Sequence, residues 1–181
     1  MLPSERKILV IGYGNPGRRD DGLGPALVAA LEAEAPPHVT VAADYQLTVE
    51  DAAAVAAHEA VVFVDAAVSG AEPFAFAAVT PGEPLSFSSH SVSPAGVMAL
   101  ARECFQAQTA GYVLAIRGYE FNEFGEGLSA QAQANLAAAL EFLRTILRER
   151  TFPEDIPHLT SGLACTAHAV PGAATAKGAF E

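Results

Sequence analysis

Residues 8–24 constrain the fold of this chain more than any other part of the sequence. Four consecutive apolar residues, 8–11, lead into a glycine-rich loop, and two adjacent carboxylates, Asp20 and Asp21, follow. A short apolar run that stops at a glycine is typical of a strand covered on both faces, as in a parallel sheet. We therefore expect a buried strand that delivers a tight loop and two acids to one edge of a sheet.

The next 130 residues alternate short apolar runs with amphipathic helical patterns. Such alternation predicts an α/β protein, a three-layer α/β/α sandwich whose twisted, mainly parallel sheet has about five strands. Pro25 suits the first position of a helix, and Ser93 and Ser129 suit N-caps. The predicted strands are 7–11, 39–43, 60–64, 112–116 and an edge strand 74–79; the predicted helices are 25–33, 48–57, 94–106 and one that begins after Ser129.

Composition changes near residue 151, where Pro, Gly, Ala and Thr become dominant and periodicity is lost. We interpret 1–150 as a single α/β domain and 151–181 as an irregular C-terminal extension.

The overall charge excludes several classes of partner. The formal net charge is −11, whereas nucleic acids and anionic membrane surfaces require clustered Lys and Arg. Two cysteines imply no disulfide framework. The N-terminus does not resemble a signal peptide, and no apolar run is long enough to span a bilayer. We expect a soluble, cytoplasmic protein with no nucleic-acid or membrane partner.

Three polar residues that are distant in sequence are expected at one edge of the sheet. Asp21 follows the first strand and Asp65 follows the third, so a strand order that begins 2-1-3 brings both to the reversal point where α/β proteins bind ligands. His90 precedes the helix that starts after Ser93, whose positive end disfavours imidazolium. Two carboxylates and a neutral imidazole suit a divalent metal with open coordination positions. Taken singly, the acids also suit a helix start or a turn, and the histidine suits a solvated loop.

A dinucleotide-binding protein is the alternative interpretation of the same loop. Residues 12–17 fit the pattern G-x-G-x-x-G, and Asp44 ends the second predicted strand. However, Pro16 interrupts the loop, and the helix is expected to start only near Pro25. Asp20 and its neighbouring acid would also repel the phosphates.

The loop and two later motifs resemble the nickel–iron hydrogenase maturation endopeptidases. The resemblance covers about residues 7–148, and it is carried by Gly12-x-Gly14-Asn15 with Asp20-Asp21-Gly22-x-Gly24, by Val62-Phe63-Val64-Asp65-Ala66, and by Ser88-Ser89-His90.

This resemblance implies a compact α/β peptidase that removes a C-terminal peptide from the hydrogenase large-subunit precursor after nickel insertion. Carried over by motif, the metal-contacting residues are Asp21, Asp65 and His90. The resemblance further implies that the nickel is supplied by the substrate, with no tightly bound resident metal. A non-catalytic chaperone that only holds the precursor remains an alternative.

Three segments depart from the family pattern or stand outside it. Many relatives carry Asp-Gly-Gly after the second strand, where this chain has residues 44–46, Asp-Tyr-Gln, and large side chains also fill 118–121. Both loops are expected to border the site, as determinants of the target or as packing anchors. In the tail, Cys165 and His168 resemble part of the precursor's cleaved ending, which indicates either a self-docking mimic or chance in a segment of small residues.

Overall fold

A five-stranded sheet forms the centre of the computed structural model, which describes residues 7–82 and 92–152. The strand order is β2-β1-β3-β5-β4, in which the first four strands are parallel and β4 runs antiparallel at one edge. The strands are β1 (Ile8–Tyr13), β2 (Val39–Asp44), β3 (Ala60–Ala67), β4 (Phe74–Val79) and β5 (Ala110–Arg117). We call the edge at which β1, β2, β3 and β5 end the carboxyl edge.

Helices cover both faces of this sheet. Two of them, α1 and α4, pack on one face, and α2 and α3 pack on the other, so the three-layer α/β/α prediction is confirmed. The helices are α1 (Leu23–Glu34), α2 (Asp51–Ala56), α3 (Pro94–Phe105) and α4 (Ala130–Glu149), and a 3-10 turn (Arg19–Gly22) precedes α1. Among the described helices, none is long and apolar enough to cross a membrane.

The central strand β3 shows why the sequence specifies two hydrophobic layers. Side chains alternate between the faces of a strand. Val62 and Val64 therefore pack against α1 and α4, while Val61 and Phe63 pack against α2 and α3. Asp65, which is next in the alternation, lies on the α2–α3 face. A strand buried on both faces gives the continuous apolar run from which it was predicted.

The starts of α3 and α4 agree with the sequence predictions. The Ser93 and Ser129 side chains accept hydrogen bonds from the amides of Gly96 and Ala132, at 3.1 and 3.2 Å, as N-caps of α3 and α4. The prediction that Pro25 occupies the first position of α1 is wrong, because the helix begins two residues earlier. Proline is tolerated there because amides in the first turn have no intrahelical acceptor.

The start of α2 also differs slightly from its prediction. The helix begins at Asp51 itself, and its N-cap is Glu50. The Asp51 carboxylate nevertheless accepts the Thr48 amide at 2.7 Å, which is the contact that the spacing Thr48-x-x-Asp51 makes in a capping box, although the helix starts later.

The last described residues still belong to the core. Phe152 is buried and stacks on Tyr112 of β5, with ring centroids 4.1 Å apart. Residues 153–181, including Cys165 and His168, lie outside the described residues, so the proposed role of the tail remains a prediction.

A close backbone approach fixes α1 against the ends of two strands. A Cβ atom on Gly24 would lie 2.5 Å from the carbonyl oxygens of both Tyr13 and Val64, which are fixed by sheet pairing. Only glycine lets the start of α1 sit between the ends of β1 and β3 at this distance. The approach positions the turn that carries Asp21 directly above the carboxyl edge.

We expect Gly24→Ala to lower the free energy of unfolding by about 3 kcal/mol or more, because the collision is with backbone rather than with a flexible side chain. Alanine is the better helix former by about 1 kcal/mol, so helix propensity alone predicts the opposite sign. The control is Ala29→Gly at an exposed position of α1, which should cost about 1 kcal/mol. Urea denaturation measures both variants, and a stable Gly24→Ala protein would contradict the packing argument.

Candidate functional site

The glycine-rich loop after β1 is closed by its own hydrogen bonds. Every amide N–H between residues 14 and 21 donates to an acceptor within the protein, and the remaining residue, Pro16, has no N–H to donate. The acceptors, with the distances from the donor nitrogens, are the Asp44 carbonyl for Gly14 (3.1 Å), Asp21 Oδ2 for Asn15 (3.0 Å), Asn15 Oδ1 for Gly17 (2.9 Å), the Asn15 carbonyl for Arg18 (3.0 Å), the Gly125 carbonyl for Arg19 (3.0 Å), the Glu120 carbonyl for Asp20 (3.0 Å) and the Arg18 carbonyl for Asp21 (3.2 Å).

Asp21 is held inside this loop by one of its two carboxylate oxygens. Its side chain is 1% exposed, and Oδ2 accepts the Asn15 amide at 3.0 Å. The other oxygen, Oδ1, is buried and has no hydrogen-bond partner among the described residues. A buried carboxylate oxygen without a partner is unfavourable unless a cation or a proton donor reaches it.

Asp65 lies inside the central strand β3, two residues before its end, and not after the strand as predicted, because β3 continues to Ala67. Its side chain is 3% exposed, and Oδ1 accepts the amide of the following residue, Ala66, at 2.8 Å. Because the β1–β3 register pairs Gly12 with Val64, Asp65 stands one position further toward the carboxyl edge, beside the end of β1. Gly14 follows the end of β1 and lies next to Asp21. A Cβ atom added to Gly14 would be 3.8 Å from Asp21 Oδ1.

The structure therefore places two of the three predicted site residues at the same edge, Asp65 in β3 and Asp21 in the 3-10 turn that follows the neighbouring strand β1. The prediction depended on the strand order β2-β1-β3, which is the order observed. The chain adds β2 on one side of β1 and β3 on the other, so the topological switch point lies between β1 and β3. The third residue, His90, lies outside the described residues. Within residues 7–82 and 92–152, no three His, Cys, Asp or Glu side chains are grouped to hold a metal ion.

Asp20, the first acid of the pair, has a different role from Asp21. It is 0% exposed, and its carboxylate accepts four hydrogen bonds from the segment that joins β5 to α4. The donors are the amides of Tyr119 (2.8 Å), Glu120 (2.9 Å) and Ser129 (2.7 Å) and the hydroxyl of Ser129 (2.7 Å). One carboxylate thus ties the turn that carries Asp21 to the end of β5 and to the N-cap of α4.

These contacts determine the charge state of Asp20. Burial acts to raise the pKa of the carboxyl, but the hydrogen bonds from Ser129, Glu120 and Tyr119 outweigh it and hold the pKa below its ordinary value of 3.8. Asp20 is therefore a fixed anion at neutral pH, with its lone pairs directed at the β5–α4 segment.

The sequence analysis assigned a site role to Asp21 alone and did not predict the structural role of Asp20. Successive residues of a 3-10 turn point about 120° apart, so Asp20 and Asp21 face different surroundings. That geometry was a usable signal, but the donors to Asp20 lie 99 to 109 residues away and follow no local pattern. Ser129 was predicted only as a helix cap.

A cavity of about 180 Å³ lies at the opposite edge of the sheet. Its lining includes Pro81 after β4, Met98 and Arg102 of α3, and Thr109 before β5. Neither Asp21 nor Asp65 lines it, so the cavity and the two acids are separate features.

Comparison with solved structures finds the same fold in hydrogenase-processing enzymes. The chain is similar to the hydrogenase maturating endopeptidase HybD from E. coli, with 23% identity and a TM-score of 0.64 over 80% of this chain and 93% of that one. It is also similar to the [NiFe] hydrogenase maturation protease HycI from Thermococcus kodakarensis KOD1, with 24% identity and a TM-score of 0.62 over 80% and 95% of the two chains.

An endopeptidase from Escherichia coli has 22% identity to the chain and a TM-score of 0.61, over 83% of this chain and 95% of that one. No protein-family model matches the chain, and no curated protein is significantly similar to it in sequence. At these identities the matches establish a shared fold, which agrees with the resemblance drawn from the motifs.

We expect Asp20→Asn to lower the free energy of unfolding by about 2–4 kcal/mol, because the amide NH₂ would face donors in place of an anionic acceptor. The control Asp44→Asn changes an exposed acid at the same edge and should stay within about 0.5 kcal/mol of the parent. Guanidinium denaturation measures both, and equal effects would show that the four hydrogen bonds do not stabilise the fold.

The same pair of proteins should show a specific pH dependence. Because the folded-state pKa of Asp20 is lowered, its contribution is complete above the unfolded pKa and is lost as the pH falls through the folded value. The difference in unfolding free energy between the parent and Asp20→Asn should therefore be constant from about pH 7 to 5 and shrink below about pH 4. A difference that grows toward low pH would contradict this sign.

Proposed function

We propose that this chain is an endopeptidase that removes the C-terminal peptide of a nickel-loaded nickel–iron hydrogenase large-subunit precursor. The observation that carries the proposal is Asp21, whose buried Oδ1 has no partner among the described residues, at the same edge as Asp65. The shared fold with proteins named as hydrogenase maturation proteases supports it.

Electrostatics favours a cation as the missing partner of Asp21. Desolvating a carboxylate without a compensating contact is strongly unfavourable, and a second acid nearby adds repulsion between like charges. A divalent ion held between Asp21 and Asp65 would relieve both effects. His90 would complete the set, since carboxylates with imidazole suit a borderline metal.

The metal in this proposal arrives with the substrate. Within the described residues the site offers two carboxylates, and His90 would add a third ligand, which leaves coordination positions open. Nickel that is already bound by the precursor would fill those positions with its own ligands. The enzyme would then bind and cleave the nickel-loaded precursor but not the nickel-free one, and it would hold no tightly bound metal of its own.

The proposed reaction is hydrolysis of one peptide bond. Nickel in the substrate, contacted by Asp21, Asp65 and His90, polarises the scissile carbonyl or a water molecule. The water oxygen adds to the carbonyl carbon, the C–N bond breaks, and the departing nitrogen takes up a proton. One carboxylate accepts the proton that the water loses. The products are the mature subunit with a new carboxylate end and the released peptide.

The geometry disfavours the dinucleotide alternative. A pyrophosphate site needs free amides at the start of a helix, but every amide between residues 14 and 21 already donates within the protein. The Asn15 amide, which would have to donate to a phosphate oxygen, already donates to Asp21 Oδ2. Titration with NAD and NADP should therefore give no binding.

We expect Asp21→Asn to lower kcat/KM for nickel-loaded precursor by more than about 100-fold, because it removes a charged ligand while its side-chain oxygen can still accept the Asn15 amide. Mass spectrometry of the precursor after incubation, with and without nickel, measures release of the peptide. The matched control is Glu103→Gln, which neutralises an exposed acid on α3, away from the carboxyl edge, and should retain full activity.

Two outcomes would overturn the assignment. Full cleavage by a folded Asp21→Asn protein would exclude the acid from catalysis, and cleavage of nickel-free precursor at the same rate would exclude the substrate metal. The chaperone alternative predicts a third pattern, in which His90→Ala binds precursor as tightly as the parent and neither protein releases a peptide.

A further inference from the structure

Exposed apolar side chains are concentrated at the carboxyl edge. Within the described residues, the exposed large apolar side chains are Tyr45, Val49, Val68, Phe105 and Phe124. All except Phe105 lie in segments that follow the ends of β2, β3 and β5, around the strand ends that carry Asp21 and Asp65. Clusters of this kind, unlike scattered single residues, indicate a binding surface.

Phe124 is the most exposed of these side chains and is held in place by the loop that carries Asp21. It is 88% exposed. The next residue, Gly125, donates its amide to the Gly17 carbonyl at 2.9 Å, and its own carbonyl accepts the Arg19 amide at 3.0 Å. An aromatic ring displayed from a fixed backbone loses little conformational freedom on binding, which is typical of an interface anchor.

Arg18 makes a cation–π contact with the Phe124 ring. Its guanidinium lies 5.9 Å from the Phe124 ring centroid, and Nη2 donates to the Phe121 carbonyl at 3.3 Å. The cation–π contact covers one face of the ring and leaves the other face free. Tyrosine, phenylalanine and arginine are enriched at interfaces, and here they lie at the same edge of the sheet as the two acids.

The charged side chains at the carboxyl edge favour a partner with a basic surface. Six exposed acids lie in the segments at the carboxyl edge, against three partly exposed arginines, Arg18, Arg19 and Arg117. The acids are Asp44, Glu50, Glu72, Glu120, Glu123 and Glu126. A complementary protein surface must therefore combine apolar side chains with Lys or Arg.

We propose that Phe124, with Tyr45, Val49 and Val68, forms the docking surface for the precursor, and that the precursor presents an apolar pocket for Phe124 rimmed by basic side chains. This inference rests on the proposed function and adds where the folded precursor binds. The surface surrounds the strand ends of the acids, so a protein seated on it presents its own metal site to Asp21 and Asp65.

Phe124→Ser should raise KM for nickel-loaded precursor about 10-fold and leave kcat unchanged, since Phe124 contributes binding and no chemistry. The matched control is Phe105→Ser, which removes an exposed phenylalanine (53%) at the end of α3, away from the carboxyl edge; it should leave KM unchanged. Equal KM values for the two variants, or a fall in kcat with KM unchanged, would overturn the proposal.

The charge component has its own test. Glu123→Lys with Glu126→Lys should slow association and lower kcat/KM several-fold at low salt, with the effect fading as salt screens it. The control is Glu32→Lys with Glu103→Lys, because it makes the same two charge reversals at exposed positions near the ends of α1 and α3, away from this surface. Equal effects of the two double variants would show that net charge matters and position does not.

Binding measured without turnover separates this inference from the proposed function. In the Asp21→Asn background, Phe124→Ser should raise the Kd for immobilised precursor about 10-fold, whether or not Asp21 takes part in cleavage. If Asp21→Asn still cleaves but Phe124→Ser weakens binding, the mechanism fails and the docking surface stands. An unchanged Kd would overturn the docking surface, as would a parent dimer that Phe124→Ser dissociates in sedimentation, because a second copy would then be the occupant.

Discussion

The Asp20 carboxylate is the interaction on which the arrangement of the site depends. It joins the turn after β1 to the segment after β5, and through Ser129 it also reaches the start of α4. Three elements that are distant in sequence are thereby held in one position relative to the carboxyl edge. Because the carboxylate is buried and fully hydrogen-bonded, it acts as a rigid connection, in contrast to exposed ion pairs, which contribute little.

This connection explains how one short turn can combine structure and chemistry. Asp20 directs its oxygens toward the β5–α4 segment, and the adjacent Asp21 is left with one oxygen bonded to Asn15 and one without a partner among the described residues. The first acid is stabilised by its contacts, and the second is kept in an unfavourable state that a cation can relieve. Functional sites commonly combine a strained group with a well-satisfied neighbour that holds it.

Much of the fold could be predicted from the sequence because it follows local periodicity. Strand and helix alternation and the Ser93 and Ser129 caps rest on patterns within about ten residues, whereas the placement of Asp21 and Asp65 at one edge also required the strand order β2-β1-β3. The true start of α1 and the role of Asp20 could not be predicted, because each depends on contacts made only after the chain folds. The exposure of Phe124 is of the same kind, since an isolated phenylalanine in sequence is normally expected in the core.

The closed hydrogen bonding of the loop after β1 has a consequence for kinetics. A segment whose amides are all occupied before any ligand arrives requires no ordering step on encounter, so the free protein already has the geometry of the complex in this region. Preorganisation of this kind lowers the entropic penalty of association. Differences in affinity among related partners should then appear mainly as differences in residence time, while the rate of encounter stays nearly the same.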